Sequence, residues 1–260
     1  MNTSDIASNI FKDLKKMNSK IVYIIFIFTL LMCNVNTYGQ GKVSRPTQQS
    51  YTSKSHKSNA KKSHKSNAKV TVSDPDGYIN GHGYVDLGLP SGTKWATCNI
   101  GAPMPNKAGN YYSWGEVDIK ETYTDDVCIT LNKKILNFSG NDIYDVATKL
   151  WGDQWCMPSS VHTEELVNMC KWTWVNYNGQ TGYKIEGPNG KNIFLPAAGW
   201  KDGRELKYCG PHGFIWTSTP SSTLYGSEAL NFYKGQDDNI ENCYYLYRRI
   251  GANIRPIIKN

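Results

Sequence analysis

Catalytic equipment is scarce in this 260-residue sequence. Its five histidines, His56, His64, His82, His162 and His212, are scattered, and none has the spacing of a zinc site. No Gly-x-Ser-x-Gly turn is present to expose a nucleophilic serine. The expectation is a non-enzyme with no cofactor.

Long hydrophobic runs are also missing. The run Ile21-Val-Tyr-Ile-Ile-Phe-Ile-Phe-Thr-Leu-Leu-Met32 has twelve uncharged, mostly apolar residues. A bilayer core of roughly 30 Å takes about twenty residues in a helix, so this run is too short for a permanent span. With Lys20 before it and small or polar residues after it, the run predicts a cleaved secretion signal over residues 1–39. Met17-Asn-Ser-Lys20 is a compact basic leader, which makes Met17 the expected start, and Gly39 stands where a signal peptidase wants a small residue. A lipid anchor at Cys33 is the alternative, against which Leu30-Leu31-Met32 lacks the small residue of a lipobox. Either way the protein is expected to be secreted or on the cell surface, at the outer-membrane exterior or in the periplasm.

Acidic side chains are absent from residues 41 to 69, which carry eight basic ones. Lys54-Ser-His-Lys-Ser-Asn-Ala-Lys61 is repeated letter for letter from Lys62 to Lys69, and almost nothing in the tract is apolar. Such a segment cannot bury enough surface to offset its ordering entropy. Residues 40–77 therefore read as a disordered basic linker, and its repeat could hold an anionic envelope surface by counterion release. No specific nucleic acid is implied. The remaining residues 70 to 260 carry 17 basic and 20 acidic side chains, so the net charge of +7 belongs to the leader and linker.

Tryptophan is missing until Trp95, and all eight fall between there and Trp216. Residues 78–260 are enough for one well-buried core and too few for two comfortable domains. Extended segments are expected at 84–89 and 93–99. Two short helices follow. The first is expected over 142–150, with Ile143, Val146, Ala147 and Leu150 on one face. The second is expected over 161–170, with Ser159 or Ser160 as N-cap and Glu164 and Glu165 in its first turn. Beyond Cys170 the signals are strands: 172–176, 182–186, 192–196, 213–217, 229–233, 243–247 and 252–257, with Asn178-Gly179 marking a hairpin. The class is α+β, two short helices followed by a meander of short antiparallel strands.

The string Tyr84-Val-Asp-Leu-Gly-Leu-Pro-Ser-Gly-Thr-Lys-Trp-Ala-Thr-Cys-Asn-Ile-Gly-Ala102 opens a series of landmarks. It is followed by Tyr112-Ser-Trp-Gly-Glu116, Trp155-Cys-Met-Pro-Ser159, Ile193-Phe-Leu-Pro-Ala-Ala-Gly199, Trp216-Thr-Ser-Thr219 and Ile254-Arg-Pro-Ile257. Together they resemble the FISUMP domain, the Fibrobacter succinogenes major paralogous family of Bacteroidetes surface proteins, over essentially all of residues 80–258. The resemblance implies a C-type-lectin-like fold, surface exposure and ligand binding, and it names no ligand. It also points to the C-terminal part of the chain as the binding face.

That stretch concentrates aromatic, amide and guanidinium groups from Phe214 to Arg255, including Arg248. Aromatic faces stack on sugar rings or peptide side chains, while amides and arginines orient polar groups. The expected ligand contacts are Trp216, Asn231, Tyr233, Tyr247 and Arg249, joined by Trp200 in its charged loop. Trp172 and Trp174, two residues apart, share one face of a strand and are expected in the core. The proline-centred sugar-binding tripeptides of calcium-dependent lectins are absent; Gly187-Pro-Asn-Gly190 reads as a turn, as does Gln236-Asp-Asp-Asn239.

Six cysteines, Cys98, Cys128, Cys156, Cys170, Cys209 and Cys243, follow the leader, and an oxidising compartment would permit disulfides among them. Six allow fifteen pairings, and sequence does not choose. Against the family pattern, Cys156 and Cys209 replace basic or small residues, which implies a protein-specific bridge including Cys243. Formylglycine-generating relatives act through a cysteine pair, so Cys209 and Cys243 also carry an oxidoreductive alternative, though those enzymes' other signatures are missing. The expected function is a non-enzymatic surface module that recognises a glycan or an extracellular protein. The alternative is a structural envelope component held by its basic tether.

Overall fold

The structure, a computed structural model, describes residues 70–235 and 239–259. The leader, Cys33, the basic repeat with His56 and His64, and Gln236 to Asp238 lie outside the described residues.

Strand β1 (Gly77–Ile79) pairs with β2 (His82–Asp86), and β2 with β3 (Lys94–Ala96). The last strand, β13 (Ile257–Ile258), lies between β3 and β4 (Trp155–Cys156), giving a five-stranded antiparallel sheet in the order β1-β2-β3-β13-β4. The two ends of the domain are thereby paired to each other. Two helices, α1 (Val146–Trp151) and α2 (Ser160–Met169), flank β4.

The expected meander follows. Strands β5 (Lys171–Tyr177), β6 (Gln180–Glu186) and β7 (Asn192–Pro196) form one three-stranded sheet. Its first hairpin turns at Asn178 and Gly179, with φ of 49° and 86°. Two successive positive φ values are what a tight hairpin turn needs, and Asn-Gly supplies them at least cost. The short hairpin β8 (Trp200–Asp202) and β9 (Glu205–Lys207) precedes a second three-stranded sheet of β10 (His212–Pro220), β11 (Gly226–Tyr233) and β12 (Asn239–Tyr247). The architecture is mixed, mostly antiparallel strand with a small helical part.

The β10-β11-β12 sheet lies between two hydrophobic cores, because its residues alternate sides with a period of two. Phe214, Trp216, Ala229 and Leu246 face a core shared with Trp114, Trp151 and Trp155. Ile215, Leu230 and Phe232 face the other, with Trp95, Leu166, Ile185 and Leu195. Burying a Leu, Ile or Phe side chain contributes about 1.5–3 kcal/mol, so both faces hold the sheet in place. Trp172 and Trp174 share a face as expected and pack edge-on against Tyr183, at centroid distances of 5.4 and 4.9 Å.

Helix α1 starts later than the sequence pattern suggests. Asp145 caps it, its Oδ1 accepting from the N–H groups of Ala147 at 2.9 Å and Thr148 at 3.2 Å, while Oδ2 accepts from Gly140 and Met157, both at 2.8 Å. A carboxylate that satisfies donors on both sides of the helix start fixes where the helix begins. Residues 141–144 form a turn instead, closed by Asp145 N–H to Asn141 O at 2.7 Å. Ile143 and Leu150 consequently point outward, 66% and 54% exposed, and the buried face is Val146, Ala147, Thr148 and Trp151. In α2 the N-cap is Ser159, whose N–H donates to His162 Nδ1 at 3.1 Å. Glu165 is buried and accepts from Ser91 N–H at 2.9 Å and its hydroxyl at 2.5 Å, tying α2 to the first part of the chain.

Two of the C-terminal arginines expected on a binding face are instead interior. Arg255 donates to Asn99 Oδ1 at 2.8 Å, to the carbonyls of Ala96 and Thr97 at 3.0 and 2.8 Å, and to Phe194 O at 2.9 Å. Arg248 donates to the carbonyls of Gly226, Thr130 and Lys133 and lies over Trp114 at 4.2 Å. Neither has a carboxylate partner among the described residues; carbonyl oxygens satisfy the planar fork instead. Burial lowers the affinity of both guanidinium groups for their proton.

Candidate functional site

The alternation that buries Phe214 and Trp216 brings His212, two residues earlier on β10, to the same face nearer the strand's start. Register then sets Tyr233 opposite His212 and Asn231 opposite Phe214, while β12 sets Asn239 opposite Tyr233 and Glu241 opposite Asn231. At this end the core face continues into a half-buried shelf of aromatic rings and polar groups.

The hairpin β8-β9 supplies its wall. Gly199 N–H donates to His212 O at 2.7 Å, which sets Trp200 beside the imidazole, and a Cβ at Gly199 would stand 2.1 Å from Lys207 O. Only glycine allows that approach. Trp200 meets His212 and Phe214 edge-on, at 5.1 and 5.3 Å. Tyr208 covers the indole in a stack 4.9 Å away and 12° from parallel. Tyr208 is 63% exposed and holds a φ of 53°, an unfavourable angle for a bulky residue. On the far side, Tyr233 lies 5.1 Å from His212, and Tyr244 lies 5.4 Å from Phe214.

The polar groups form one ordered chain. Asn231 donates its amide to Glu241 Oε2 at 2.9 Å, so its carbonyl oxygen faces His212. That oxygen accepts, so His212 Nε2 carries the proton and donates, which leaves Nδ1 as an acceptor. Glu241 Oε1 accepts from Asn239 Nδ2 at 2.8 Å, and the same amide lies 3.0 Å from the Tyr233 hydroxyl. Burial pushes the His212 imidazole below its ordinary value, against the opposing pull of Asn231 and Glu241, so the ring is neutral at pH 7. Tyr233 O–H remains a donor, and His212 Nδ1 and Glu241 remain acceptors.

Of the expected contacts, Trp200, Asn231 and Tyr233 come together here. Asn231 is buried beneath the shelf and positions its neighbours. Trp216 is corrected from ligand contact to core: it is 0% exposed and its Nε1–H donates to Tyr112 O at 2.8 Å. The same alternation that places His212 on the shelf carries Trp216 two steps further under it. Tyr247 is exposed but lies on the face of β12 away from Tyr244 and Leu246, edge-on to Tyr245 at 5.6 Å. Arg249 is committed to carboxylates, bonded to Asp202 and 3.2 Å from Asp125. It anchors the hairpin that carries Trp200 rather than reaching the shelf. His212, Tyr208, Asn239 and Glu241 were missing from the expected contacts; His212 shares Phe214's parity and was findable on that ground, whereas nothing local marks Tyr208.

No disulfide joins the six cysteines in the structure. Cys156 sits on β4 opposite Ile257, and Cys209 follows Tyr208 beside Gly199. Cys243 occupies a positive-φ position on β12, next to Asn242, which donates to Ser160 O at the start of α2. None of the three is bridged in the structure, so the bridge implied by the family pattern is not formed there. Burial pushes the Cys243 and Cys170 thiols up to about 12 and Cys156 up to about 11.

Gly187-Pro-Asn-Gly190 is a turn as expected, closed by Gly190 N–H to Gly187 O at 2.9 Å. No group of three or more metal-ligating side chains is found among the described residues. Among the same residues no helix is long and apolar enough to cross a membrane. The chain matches no family model, no curated protein and no solved structure.

Proposed function

We propose that the chain is an exported, non-enzymatic binding or adhesion module of the FISUMP type, with a C-type-lectin-like fold, that recognises a glycan on the shelf between Trp200 and Tyr244. One observation carries this reading. Half-exposed rings surround an ordered set of one hydroxyl donor and two kinds of acceptor, the neutral imidazole and the carboxylate. A sugar presents apolar ring faces and hydroxyl groups that both donate and accept, which is the complement of that arrangement. The groups in contact with His212 are Asn231, Trp200, Phe214 and Tyr233, an amide and three aromatic rings, which suits a surface that packs on a ligand. Secretion or surface display rests on the apolar run from Ile21 to Met32.

The test is a glycan and protein array probed with the purified chain and with Trp200→Ala and Tyr208→Ala. Carbohydrate signals that both substitutions abolish, in variants that keep the native circular dichroism, support the reading. Carbohydrate signals that neither changes, or binding to proteins alone, overturn it.

The eight basic side chains of residues 41–69 favour a second role, retention on an anionic envelope. Deleting residues 54–69 is then expected to release the protein from cells, and unchanged retention would sink that role.

A further inference from the structure

A second concavity, of about 360 Å³, opens on the outer edge of the five-stranded sheet and shares no residue with the shelf. Its size falls within the range of small-ligand sites, roughly 300–1,000 Å³. One wall is the segment before β1, held down by Asn192 N–H donating to Ser73 Oγ at 2.9 Å and by Asp76, which accepts from Asp86 N–H at 2.7 Å. Pro75, Pro103 and Pro105 stiffen the rim, so the hollow is largely formed before anything enters it. Tyr78, Tyr177, Trp151 and His82 supply aromatic surface, and His82 lies flat on Trp151, centroids 3.7 Å apart and 7° from parallel.

The charges around this hollow are one-sided. No lysine or arginine is among its lining residues, and its one carboxylate is Asp74. Asp76, two positions on, is bonded to Lys191, whereas Asp74 makes no hydrogen bond or ion pair with any described residue. The His82 ring makes no hydrogen bond either, and burial lowers its affinity for a proton, so the ring adds no positive charge at pH 7. A site with aromatic walls, a single unpaired carboxylate and no cation suits a ligand that carries positive charge on an apolar body.

We propose that this hollow binds a small organic ammonium ion, its apolar or aromatic body against Tyr78, Tyr177 and Trp151 and its charged nitrogen toward Asp74. The carboxylate discriminates charge, and the rings supply most of the contact area. An anionic counterpart of the same shape meets Asp74 as a like charge and is rejected.

Three probes of matched shape test it by calorimetry on the full chain: 2-phenylethylammonium, 2-phenylethanol and phenylacetate. The cation is expected to bind about fivefold or more tighter than the alcohol, the worth of one exposed charge pair, and the anion weakest. Asp74→Asn should bring the cation down to the alcohol's affinity and leave the alcohol unchanged. Tyr177→Ala should weaken cation and alcohol together, whereas Trp200→Ala on the shelf should change neither. Asp74 is exposed and Tyr177 is half-buried against Phe194, and circular dichroism of each variant confirms the fold. No binding of the cation at millimolar concentration, an anion that binds as well as the cation, or charge selectivity that survives Asp74→Asn each overturns the proposal. None of these outcomes bears on the carbohydrate arrays, which probe the other surface.

Discussion

Tyr208 lies stacked on Trp200, 4.9 Å from ring to ring, and holds a backbone angle of 53° to do so. A side chain kept in the left-handed region costs of order 1 kcal/mol or more, which the surroundings must offset. Replacing Tyr208 by glycine is therefore expected to leave folding stability nearly unchanged, relief of strain compensating the lost stack. It should redden the emission of the uncovered Trp200 and lower affinity for any shelf ligand about tenfold, the equivalent of about 1.4 kcal/mol. Urea denaturation, fluorescence and a binding isotherm check the three effects separately. A large loss of stability would show that the stack serves the fold.

The free thiols give a prediction that needs no ligand. Cys209 and Cys243 are both exposed residues, but the Cys243 thiol is pushed up to about 12 by burial and by Glu228. The thiolate is the reactive form, so at pH 8 Cys209 should react with a disulfide reagent well ahead of Cys243. The buried Cys128 and Cys156 should wait for unfolding. Mass spectrometry of quenched samples identifies which cysteine is labelled first, and Cys209→Ser should remove the fast phase. Labelling of both at one rate would contradict the assigned environments.

The sequence pattern carried most of the sheet content, because local signals decided it: short, mostly apolar runs between turn residues mark 192–196 and 229–233, and Asn178-Gly179 announces its own turn. The late start of α1 was not legible, since Asp145 caps the helix while also binding Gly140 and Met157. Gathering of the shelf was partly legible: Asn231 and Tyr233 share a parity on β11, and Trp200 stood out in its loop. The pairing of β12 that brings Glu241 to Asn231 includes an irregularity near Ala229, and such a register is invisible in one strand's pattern. The landmark residues Trp95, Trp114, Trp155, Trp216 and Arg255 all proved interior, so those motifs record how the chain packs. Arginine was the most misleading residue type, because a guanidinium can be satisfied by carbonyl oxygens as fully as by a ligand.

Arg255 and Arg249 offer a direct contrast. Arg255 satisfies four acceptors from inside the core, the side chain of Asn99 and the carbonyls of Ala96, Thr97 and Phe194. Arg255→Met strands them without donors and should cost about 3–5 kcal/mol, in the range of a broken buried charge network. Lysine at 255 keeps the charge but replaces the fork by a point, and should recover only part of that loss. Arg249→Met removes a half-exposed pairing with Asp125 and Asp202, worth about 0–1 kcal/mol. Its effect should appear instead as weaker shelf binding through a loosened β8-β9 hairpin. Urea midpoints of the three variants separate core from clamp, and equal losses at 249 and 255 would contradict the assignment.

Acid sensitivity follows from three histidines. His82, His162 and His212 all have proton affinities lowered by burial, from an ordinary value of 6.5. As pH falls through that value, the unfolded chain takes up protons before the folded one does. Stability is therefore full above about pH 6.5, falls as pH drops toward the folded-state values, and levels off below them. The carboxyl groups of Asp76 and Asp202 lie below 3.8 in the fold and act at lower pH, whereas Asp145, raised by burial, works in the opposite sense. The histidine contribution is thus read as the difference between the native chain and a His→Gln variant over pH 7.5 to 5. His212→Gln keeps a neutral donor toward Asn231, so it should flatten the slope of the urea midpoint against pH without collapsing the shelf network. Shelf binding sharpens the test. Protonation of Nδ1 turns the outward acceptor of His212 into a donor, so a hydroxyl held by the neutral ring should be released in acid. Affinity for a carbohydrate found on the arrays should fall with pH in the native chain, and an affinity that stays flat would show that Nδ1 does not face the ligand.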